Sequence, residues 1–232
     1  MIKTVIFDLD GLLIDSETMG FKIYGSLLEK YGDSLSLAEY TEDYCGHTAS
    51  DSMARLIAAH SLPITHEEGM AFIDLNEREY ISRGIPLKKG ARELLKFLYD
   101  EKIAAYLASS STKLRGETIL KNNGVFEFFK DGVFGNEIKN CKPAPDIFIA
   151  AQRKAKTPCE NCLVLEDSEA GIKAAVAANI PVICIPDLKI PRESTLKLTK
   201  CVLSSLDGVI DVIKKENGEN AACLNFAFQL KR

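Results

Sequence analysis

Hydrophobic and polar positions divide the chain into two regions with different periodicity. Residues 2–7 are a short, β-branched apolar run that ends at an acidic cluster, as is typical of a buried strand. From residue 16 to residue 83 apolar side chains recur at helical spacing, and no stretch alternates as a strand would. The first region therefore predicts one strand followed by a compact bundle of about four helices.

Two start signals support helices in this first region. Ser36 is followed three residues later by Glu39, and Thr65 is followed at the same distance by Glu68. This is the spacing of a capping box, in which each side chain of the pair bonds the backbone of the other residue. We predict that each pair begins a helix.

The second region alternates short apolar strands with amphipathic helices. In chain order the predicted helices are 89–101, 113–123, 145–156 and 168–179, and the strands that follow them are 103–108, 132–134, 162–165 and 182–185. Such alternation predicts a parallel sheet covered on both faces, to which the first strand also belongs. The predicted fold class is α/β, with a parallel sheet core and a helical bundle inserted directly after the first strand.

The domain bounds follow from the same change of pattern. We assign residues 1–14 and 84–232 to the sheet core, and residues 15–83 to the helical insert. The segment 221–230 is unusually apolar for a chain end. It could pack on the core or on a second subunit, and the sequence does not distinguish the two.

Composition and charge exclude several classes of function. The formal net charge is −4 and no long basic run occurs, so the chain lacks the footprint of a nucleic-acid-binding protein. No apolar run approaches the roughly 20 residues that span a bilayer, and the first residues do not have the form of a signal peptide. We expect a cytoplasmic protein, a monomer or weak dimer, with neither nucleic-acid nor membrane partners.

The seven cysteines fit the same compartment. Their number is odd and they are scattered, which suits reduced thiols better than a disulfide framework. Cys159 and Cys162 form a lone Cys-x-x-Cys pair, for which a redox role or half of a zinc site are the alternatives. Because no second Cys or His pair completes a zinc site, we interpret them as ordinary thiols leading into a strand.

Polar groups follow the predicted strands where ligands bind in an open parallel sheet, beyond the carboxyl ends. These groups are Asp8, Asp10, Ser109, Ser110, Ser111, Lys142, Glu166, Asp167 and Ser168. Taken singly, each has a structural explanation: a turn at the aspartates, helix caps at the serines and a solvent-exposed lysine. Their joint occurrence after separate strands favours one active site.

These residue types suit phosphoryl transfer. A carboxylate such as Asp8 can attack phosphorus and form an aspartyl phosphate, and Asp10 can serve as general acid and then base. Ser109 and the backbone N–H groups after it can hold phosphate oxygens, and Lys142 can balance the charge. Magnesium prefers oxygen ligands, which Asp8, Asp167 and a backbone carbonyl would provide.

Four motifs together resemble the haloacid dehalogenase superfamily, in its beta-phosphoglucomutase and phosphatase branch. The motifs are Phe7-Asp-Leu-Asp-Gly-Leu-Leu-Ile-Asp-Ser-Glu17, Leu107-Ala-Ser-Ser-Ser111, Lys142-Pro-Ala-Pro-Asp-Ile-Phe148 and Leu165-Glu-Asp-Ser-Glu-Ala-Gly-Ile172. The resemblance covers residues 2–187. It implies a Rossmann-like parallel sheet core as the catalytic core (1–14 and 84–232) and an inserted helical-bundle cap domain (15–83). The cap would close over the active site and select the substrate.

The resemblance also implies a role for each core residue. Asp8 would be the nucleophile, Asp10 the acid/base, and Ser109, with Ser110 beside it, the phosphate-binding segment. Lys142 would orient charge. Asp8, the Asp10 backbone oxygen and Asp167 would bind Mg²⁺, with Glu166 supporting the metal or its waters, while residues 15 and 16 would form the hinge into the cap.

One position departs from the pattern of the mutases. Beta-phosphoglucomutases carry a His five residues after the position of Asp15, and this chain has Gly20 there. The departure favours a plain phosphohydrolase over a mutase. In the cap, His47 is a predicted substrate-binding residue, and Arg55 and Arg78 are further specificity candidates; a solvated helix face is the alternative for each.

The sequence thus predicts a Mg²⁺-dependent phosphohydrolase of a small phosphomonoester, such as a sugar phosphate, that acts through an aspartyl phosphate. A phosphomutase on a sugar phosphate is the first alternative. A dehalogenase would not need an acid at Asp10. A non-catalytic phosphate-binding regulator is the alternative of another class. The identity of the substrate does not follow from the sequence.

Overall fold

The computed structural model describes residues 1–218, and the apolar segment 221–230 lies outside the described residues. The strands are β1 (Thr4–Phe7), β2 (Ala104–Ser109), β3 (Phe129–Phe134), β4 (Cys162–Glu166), β5 (Val182–Cys184) and β6 (Cys201–Val202). They form one parallel sheet in the order β3-β2-β1-β4-β5-β6. The predicted α/β fold with a parallel sheet is confirmed.

Helices cover both faces of this sheet and fill the long connection after β1. They are α1 (Ser16–Glu29), α2 (Leu37–Glu39), α3 (Ala49–Ala59), α4 (His66–Arg83), α5 (Ala91–Asp100), α6 (Lys113–Asn122), α7 (Asp146–Ala155), α8 (Glu169–Ala177), α9 (Glu193–Leu196) and α10 (Gly208–Glu216). A π-helix, Tyr40–Tyr44, continues directly from α2. We call residues 16–83, which contain α1 to α4, the helical insertion.

Strand β1 is the centre of the sheet. All four of its residues are buried, and it pairs with β2 on one side and β4 on the other. Val5 and Phe7 belong to the hydrophobic cluster that also takes in the helical insertion, whereas Ile6 belongs to the cluster on the opposite face. Burial on both faces explains why β1 has a continuous apolar run.

The structure corrects some predicted bounds. Strand β3 begins at Phe129 rather than at residue 132. Its first half gives no apolar pattern, because the strand lies at the edge of the sheet and Lys130 and Asp131 are exposed there. Strand β6 is only two residues long and had no recognisable pattern. Helix α10 was also missed, although it buries Val209 and Ile213 at helical spacing.

Of the two predicted capping boxes, one is complete. At Thr65 the hydroxyl accepts from Glu68 N (3.2 Å) and the Glu68 carboxylate accepts from Thr65 N (2.7 Å). Ser36 caps α2 by accepting from Glu39 N (3.1 Å), but the reciprocal bond is not made. The Glu39 carboxylate instead accepts from His60 Nε2 (2.9 Å).

The state of the cysteines and the hydropathy of the helices can be compared with the sequence predictions. The six cysteines within residues 1–218 are free, and burial raises the pKa of the Cys162 thiol to about 12. A thiol with so high a pKa is a poor nucleophile or metal ligand at neutral pH. Among the helices of residues 1–218, none is long and apolar enough to cross a membrane.

His60 connects three parts of the helical insertion. It caps α3, and its ring contacts Asp33 (Nδ1 to Oδ2, 2.7 Å) and Glu39 (Nε2 to Oε1, 2.9 Å). Partial burial lowers the pKa of His60, but the hydrogen bonds to the two carboxylates outweigh it, so the pKa is raised. The charged imidazolium therefore stabilises the folded insertion.

We predict that the stability contributed by His60 depends on pH. Because the folded pKa lies above the unfolded value of about 6.5, the contribution is complete below that pH and is lost as the pH rises through the folded pKa. Urea unfolding should show a larger loss of stability in His60→Gln at about pH 6 than at about pH 9. Equal losses at the two pH values would contradict this account.

Candidate active site

The sheet register brings three strand ends together. Phe7 of β1 lies opposite Leu107 of β2 and Leu165 of β4. The residues that follow these three are Asp8, Ala108 and Glu166. Parallel strands end at the same edge of a sheet, so the register alone places carboxylates from β1 and β4 side by side.

Lys142 binds both of these carboxylates. Its Nζ donates to Asp8 Oδ1, to Glu166 Oε1 (2.6 Å) and to the Ala108 carbonyl (3.2 Å). The side chain is only 7% exposed. Burial lowers the pKa of Lys142, but Asp8 and Glu166 raise it by more, so the ammonium stays charged. One buried cation therefore holds the ends of β1 and β4 together.

Glu166 is fully buried and both of its oxygens are occupied. While Oε1 accepts from Lys142, Oε2 accepts from Asp167 N, Ser168 N and Ser168 Oγ, each at 3.0 Å. These bonds fix the turn between β4 and α8. Glu166 thus orients the neighbouring groups through hydrogen bonds, and its predicted contact with a metal stays a prediction.

Asp8 and Asp167 both have raised pKa values. Burial is the largest cause for each; Glu166 raises both further and Lys142 opposes it. Near them lies Asp187, three residues after β5. Burial raises the pKa of Asp187, and its Oδ2 is buried without a hydrogen-bond partner, although Oδ1 pairs with Lys88.

The charge balance of this group suits a bound cation. Asp8 and Glu166 are buried, Asp167 is partly buried, and the three carboxylates share the ammonium of Lys142. Carboxylate oxygens are the ligands that Mg²⁺ prefers. Within residues 1–218 no three acidic, His or Cys side chains form a metal cluster. The carboxylates of Asp8 and Asp167 and the backbone oxygen of Asp10 are oxygen donors of the kind that Mg²⁺ takes, so the donor set fits this ion.

Gly11 shows how closely the loops approach each other. Its φ is +78°, and a Cβ on it would lie 2.4 Å from Asp167 Oδ2. Its N–H donates to Ser16 Oγ (2.9 Å), which connects the loop after β1 with the start of α1. Only glycine fits between the two aspartate loops.

Ser109 ends β2 and is buried, and its Oγ accepts from Ser111 N (3.1 Å). Ser110 is exposed. The cap of α6 is Thr112, whose hydroxyl accepts from Arg115 N (3.4 Å), so the interpretation of the serine run as the helix cap is wrong. Because Thr112 caps the helix, Ser109 and Ser110 are not needed for that purpose at the strand end.

Asp10 does not contact Lys142 but binds a residue that the sequence analysis missed. Arg115 Nη1 donates to Asp10 Oδ2 (3.0 Å), and Arg115 Nη2 forms an ion pair with Asp10 Oδ1 (2.9 Å). The missed signal is its place in the first turn of α6, directly after a strand end. Asp187 was missed although it also follows a strand.

The residues predicted in the helical insertion do not join this group. His47, Arg55 and Arg78 are all exposed. Burial lowers the pKa of His47, and the positive charges of Arg55 and Lys189 near its loop lower it further. Their predicted role in specificity stays a prediction.

Comparison with known proteins gives this arrangement a family. The haloacid dehalogenase-like hydrolase family matches residues 5–185. The chain belongs to the haloacid dehalogenase-like hydrolases. The predicted resemblance is confirmed, and so is the prediction of an enzyme of the phosphatase type.

Two relatives that are named as phosphatases are similar over most of the chain. "Probable pseudouridine-5'-phosphatase" of Drosophila melanogaster is 34% identical over 209 residues, which is 87% of this chain and 89% of that protein. "Phosphorylated carbohydrates phosphatase" of Thermotoga maritima is 29% identical over 183 residues, 77% of this chain and 82% of that protein.

A solved structure shows the same fold. The HAD family hydrolase from Deinococcus radiodurans R1, with bound phosphate and sodium, superposes with a TM-score of 0.80. The alignment covers 93% of this chain and 96% of that chain at 22% identity. At this identity the likeness concerns the fold.

Within this haloacid dehalogenase-like hydrolase, Gly20 has a steric explanation. A Cβ on Gly20 would lie 2.3 Å from Tyr40 Oη, and the next atom of that ring is 3.4 Å away. The Tyr40 hydroxyl donates to Glu17 (2.9 Å), which also accepts from Cys45 Sγ (3.2 Å). The tyrosine therefore occupies the space that a side chain at position 20 would need.

We predict that Gly20→Ala destabilises the chain by about 1–3 kcal/mol through overpacking, measured by urea unfolding. The loss should be much smaller in a Tyr40→Phe background, since the clashing oxygen is then absent. Gly25→Ala on the same helix is the control. A Cβ there meets nothing within 4 Å, so that change should be neutral or stabilising. Equal losses at positions 20 and 25 would refute the explanation.

We also predict that Glu166→Gln lowers the free energy of unfolding by about 3–5 kcal/mol, because it removes one charge of a buried pair. The matched control is Glu169→Gln, three residues later, whose partly exposed pairs with Lys173 and Arg192 should cost less than about 1 kcal/mol. Similar losses in the two variants, measured by urea unfolding, would contradict the role given to Glu166.

Proposed function

We propose that the chain is a Mg²⁺-dependent phosphohydrolase of a small phosphomonoester that works through an aspartyl phosphate on Asp8. The observation that supports this most directly is the buried Lys142 between Asp8 and Glu166. An ammonium in that place fixes the direction of the Asp8 carboxylate and offsets negative charge at the reacting centre. The contact takes Oδ1 of Asp8, so Oδ2 is the oxygen for attack.

The reaction has two steps in this proposal. Asp8 attacks the phosphorus, the bond to the leaving oxygen breaks, and Asp10 gives that oxygen a proton. Asp10 then takes a proton from water, whose oxygen attacks the phosphorus. The bond to Asp8 breaks, which releases inorganic phosphate and restores the Asp8 carboxylate. Ser109 and the backbone at Ser110 hold the phosphate oxygens.

Asp8, Asp167 and the backbone oxygen of Asp10 would hold the Mg²⁺ ion. When bound, the ion offsets the charge of the carboxylates and of the phosphate. The raised pKa values of Asp8 and Asp167 support this assignment, because carboxylates that resist ionisation in a buried group are stabilised by a cation.

We propose that the helical insertion is a cap, with bounds 15–83, that excludes water and selects the substrate. Of the relatives described above, one is a probable pseudouridine-5'-phosphatase and the other a phosphorylated carbohydrates phosphatase. A sugar phosphate or a nucleoside 5'-phosphate is therefore the substrate class. The exposed His47, Arg55 and Arg78 would contribute to its recognition. We expect a cytoplasmic monomer or weak dimer.

A phosphomutase is the second candidate, and one observation speaks against it. The mutase pattern has a His at position 20, where Tyr40 leaves no room for a Cβ. Without that residue the aspartyl phosphate is expected to pass to water rather than back to the product.

We predict Mg²⁺-dependent phosphate release from a panel of sugar, nucleotide, glycerol and pseudouridine phosphates. Chelator should abolish it, and Asp8→Asn should lower kcat by about 10⁴-fold or more because the nucleophile is lost. The control is Asp131→Asn on β3, which removes only a surface ion pair with Lys154 and should retain full activity.

The outcomes separate the candidates. Phosphate transfer to Asp8 without net release, seen by mass spectrometry of quenched enzyme, would contradict the phosphatase function and support the mutase function. If no member of the panel gives either phosphate release or a phosphorylated Asp8, the phosphatase function is contradicted and a non-catalytic binding role is supported.

A further inference from the structure

Arg115 contacts three segments that belong to different parts of the fold. It binds Asp10 in the loop after β1 through a hydrogen bond from Nη1 (3.0 Å) and an ion-pair contact of Nη2 (2.9 Å). Its Nε donates to Glu77 Oε1 of α4 (2.9 Å), and its Nη1 donates to Ser111 Oγ after β2 (2.7 Å). The core and the helical insertion thus meet at one guanidinium.

The guanidinium makes three hydrogen bonds and one further ion-pair contact. Three of its five N–H donors are used, one by Glu77, one by Asp10 and one by Ser111, and Nη2 forms an ion pair with Asp10 Oδ1. The Arg115 side chain is 18% exposed, and Glu77 is 25% exposed. Burial lowers the pKa of Arg115, and Asp10 and Glu77 raise it by more. An ion pair so shielded from water is screened much less than one on the surface.

The planar shape of the group makes its contacts interdependent. A guanidinium is rigid, so the bond from Nε to Glu77 sets the plane in which Nη1 and Nη2 lie. That plane in turn sets the direction of both Asp10 oxygens. Each carboxylate oxygen has about two lone-pair directions, and the bond from Nη1 takes one of them at Asp10 Oδ2. The other direction is left for a proton that moves to or from the substrate.

We propose that Arg115 is a positioning residue that couples the placement of the helical insertion to the orientation of the Asp10 carboxylate. With α4 in place, Glu77 fixes the guanidinium and Asp10 points in one direction. With α4 displaced, the guanidinium turns freely and Asp10 loses its direction. Proton transfer to the leaving group then depends on the position of the insertion. The inference rests on the phosphohydrolase function proposed above.

A second contact between the insertion and the core provides the matched comparison. Lys189 follows β5, and its Nζ donates to the carbonyls of Glu42 (3.0 Å) and Cys45 (3.2 Å). It joins the same two parts of the fold, yet none of its bonds involves Asp10. Removing it tests the placement of the insertion without touching the orientation of the acid.

The experiment compares two leaving groups. The first substrate is the best alkyl phosphate of the panel, whose leaving oxygen needs a proton. The second is p-nitrophenyl phosphate, whose leaving group departs as an anion. Arg115→Gln and Glu77→Gln should each lower kcat on the alkyl phosphate by about 10- to 100-fold, within the contribution of general acid catalysis. On p-nitrophenyl phosphate the loss should stay below about threefold, because no acid is needed there.

The double variant and the controls complete the kinetic test. Arg115→Gln with Glu77→Gln should be no worse than Arg115→Gln alone, since both changes break one unit. Lys189→Gln should affect the two substrates by the same factor. Lys121→Gln, in the exposed pair with Glu117 on the same helix, should change neither. Equal losses on both substrates for Arg115→Gln, or additive losses in the double variant, would overturn the proposal.

Hydrogen exchange gives a readout that does not need turnover. Glu77→Gln should raise amide exchange in α4 and also in residues 9–14, which carry Asp10, whereas Lys189→Gln should spare the latter. Unchanged exchange in residues 9–14 of Glu77→Gln would overturn the coupling whatever the activity. If the wild-type chain releases no phosphate but the two variants differ in exchange as expected, the proposed function is refuted and the coupling is still supported.

Discussion

The contact of one buried ammonium with two carboxylates is the constraint on which the active site depends. Lys142 comes from a loop after β3, and its partners come from the ends of β1 and β4. A buried lysine without partners would lose its proton, and the two carboxylates without the lysine would repel each other. Each of the three charges is therefore tolerable only because the others are present. The sheet register supplies this arrangement before any ligand binds.

The sequence predicted most of the core because its signals are local. The apolar run of β1 and the alternation after residue 83 required only short windows, and the polar groups after β1, β2 and β4 followed from the strand-end rule. Arg115 and Asp187 were not found, since their significance lies in partners distant in the chain. Edge elements such as β6 lack a two-sided apolar environment and so give little pattern.

The helical insertion illustrates a different limit. Its helices were predicted, and the capping box at Thr65 was complete, but their polar contacts could not be read from spacing. Glu39 has the spacing of a capping partner for Ser36 and yet bonds His60, because a charged ring held by two carboxylates offers a stronger hydrogen bond than a backbone amide. Tyr40 likewise explains Gly20 only once both are seen in space.

The central place of β1 also affects the order in which the molecule can form. As the chain is synthesised, β1 emerges first but has no neighbour until Ala104 to Ser109 follow, and its second neighbour begins only at Cys162. The helices between them have mainly local contacts and can form early. Asp8 therefore lies at the end of a strand that has no neighbour at first, and 134 positions separate it from Lys142. The group of charges around Lys142 can assemble only after β4, which carries Glu166, has been synthesised.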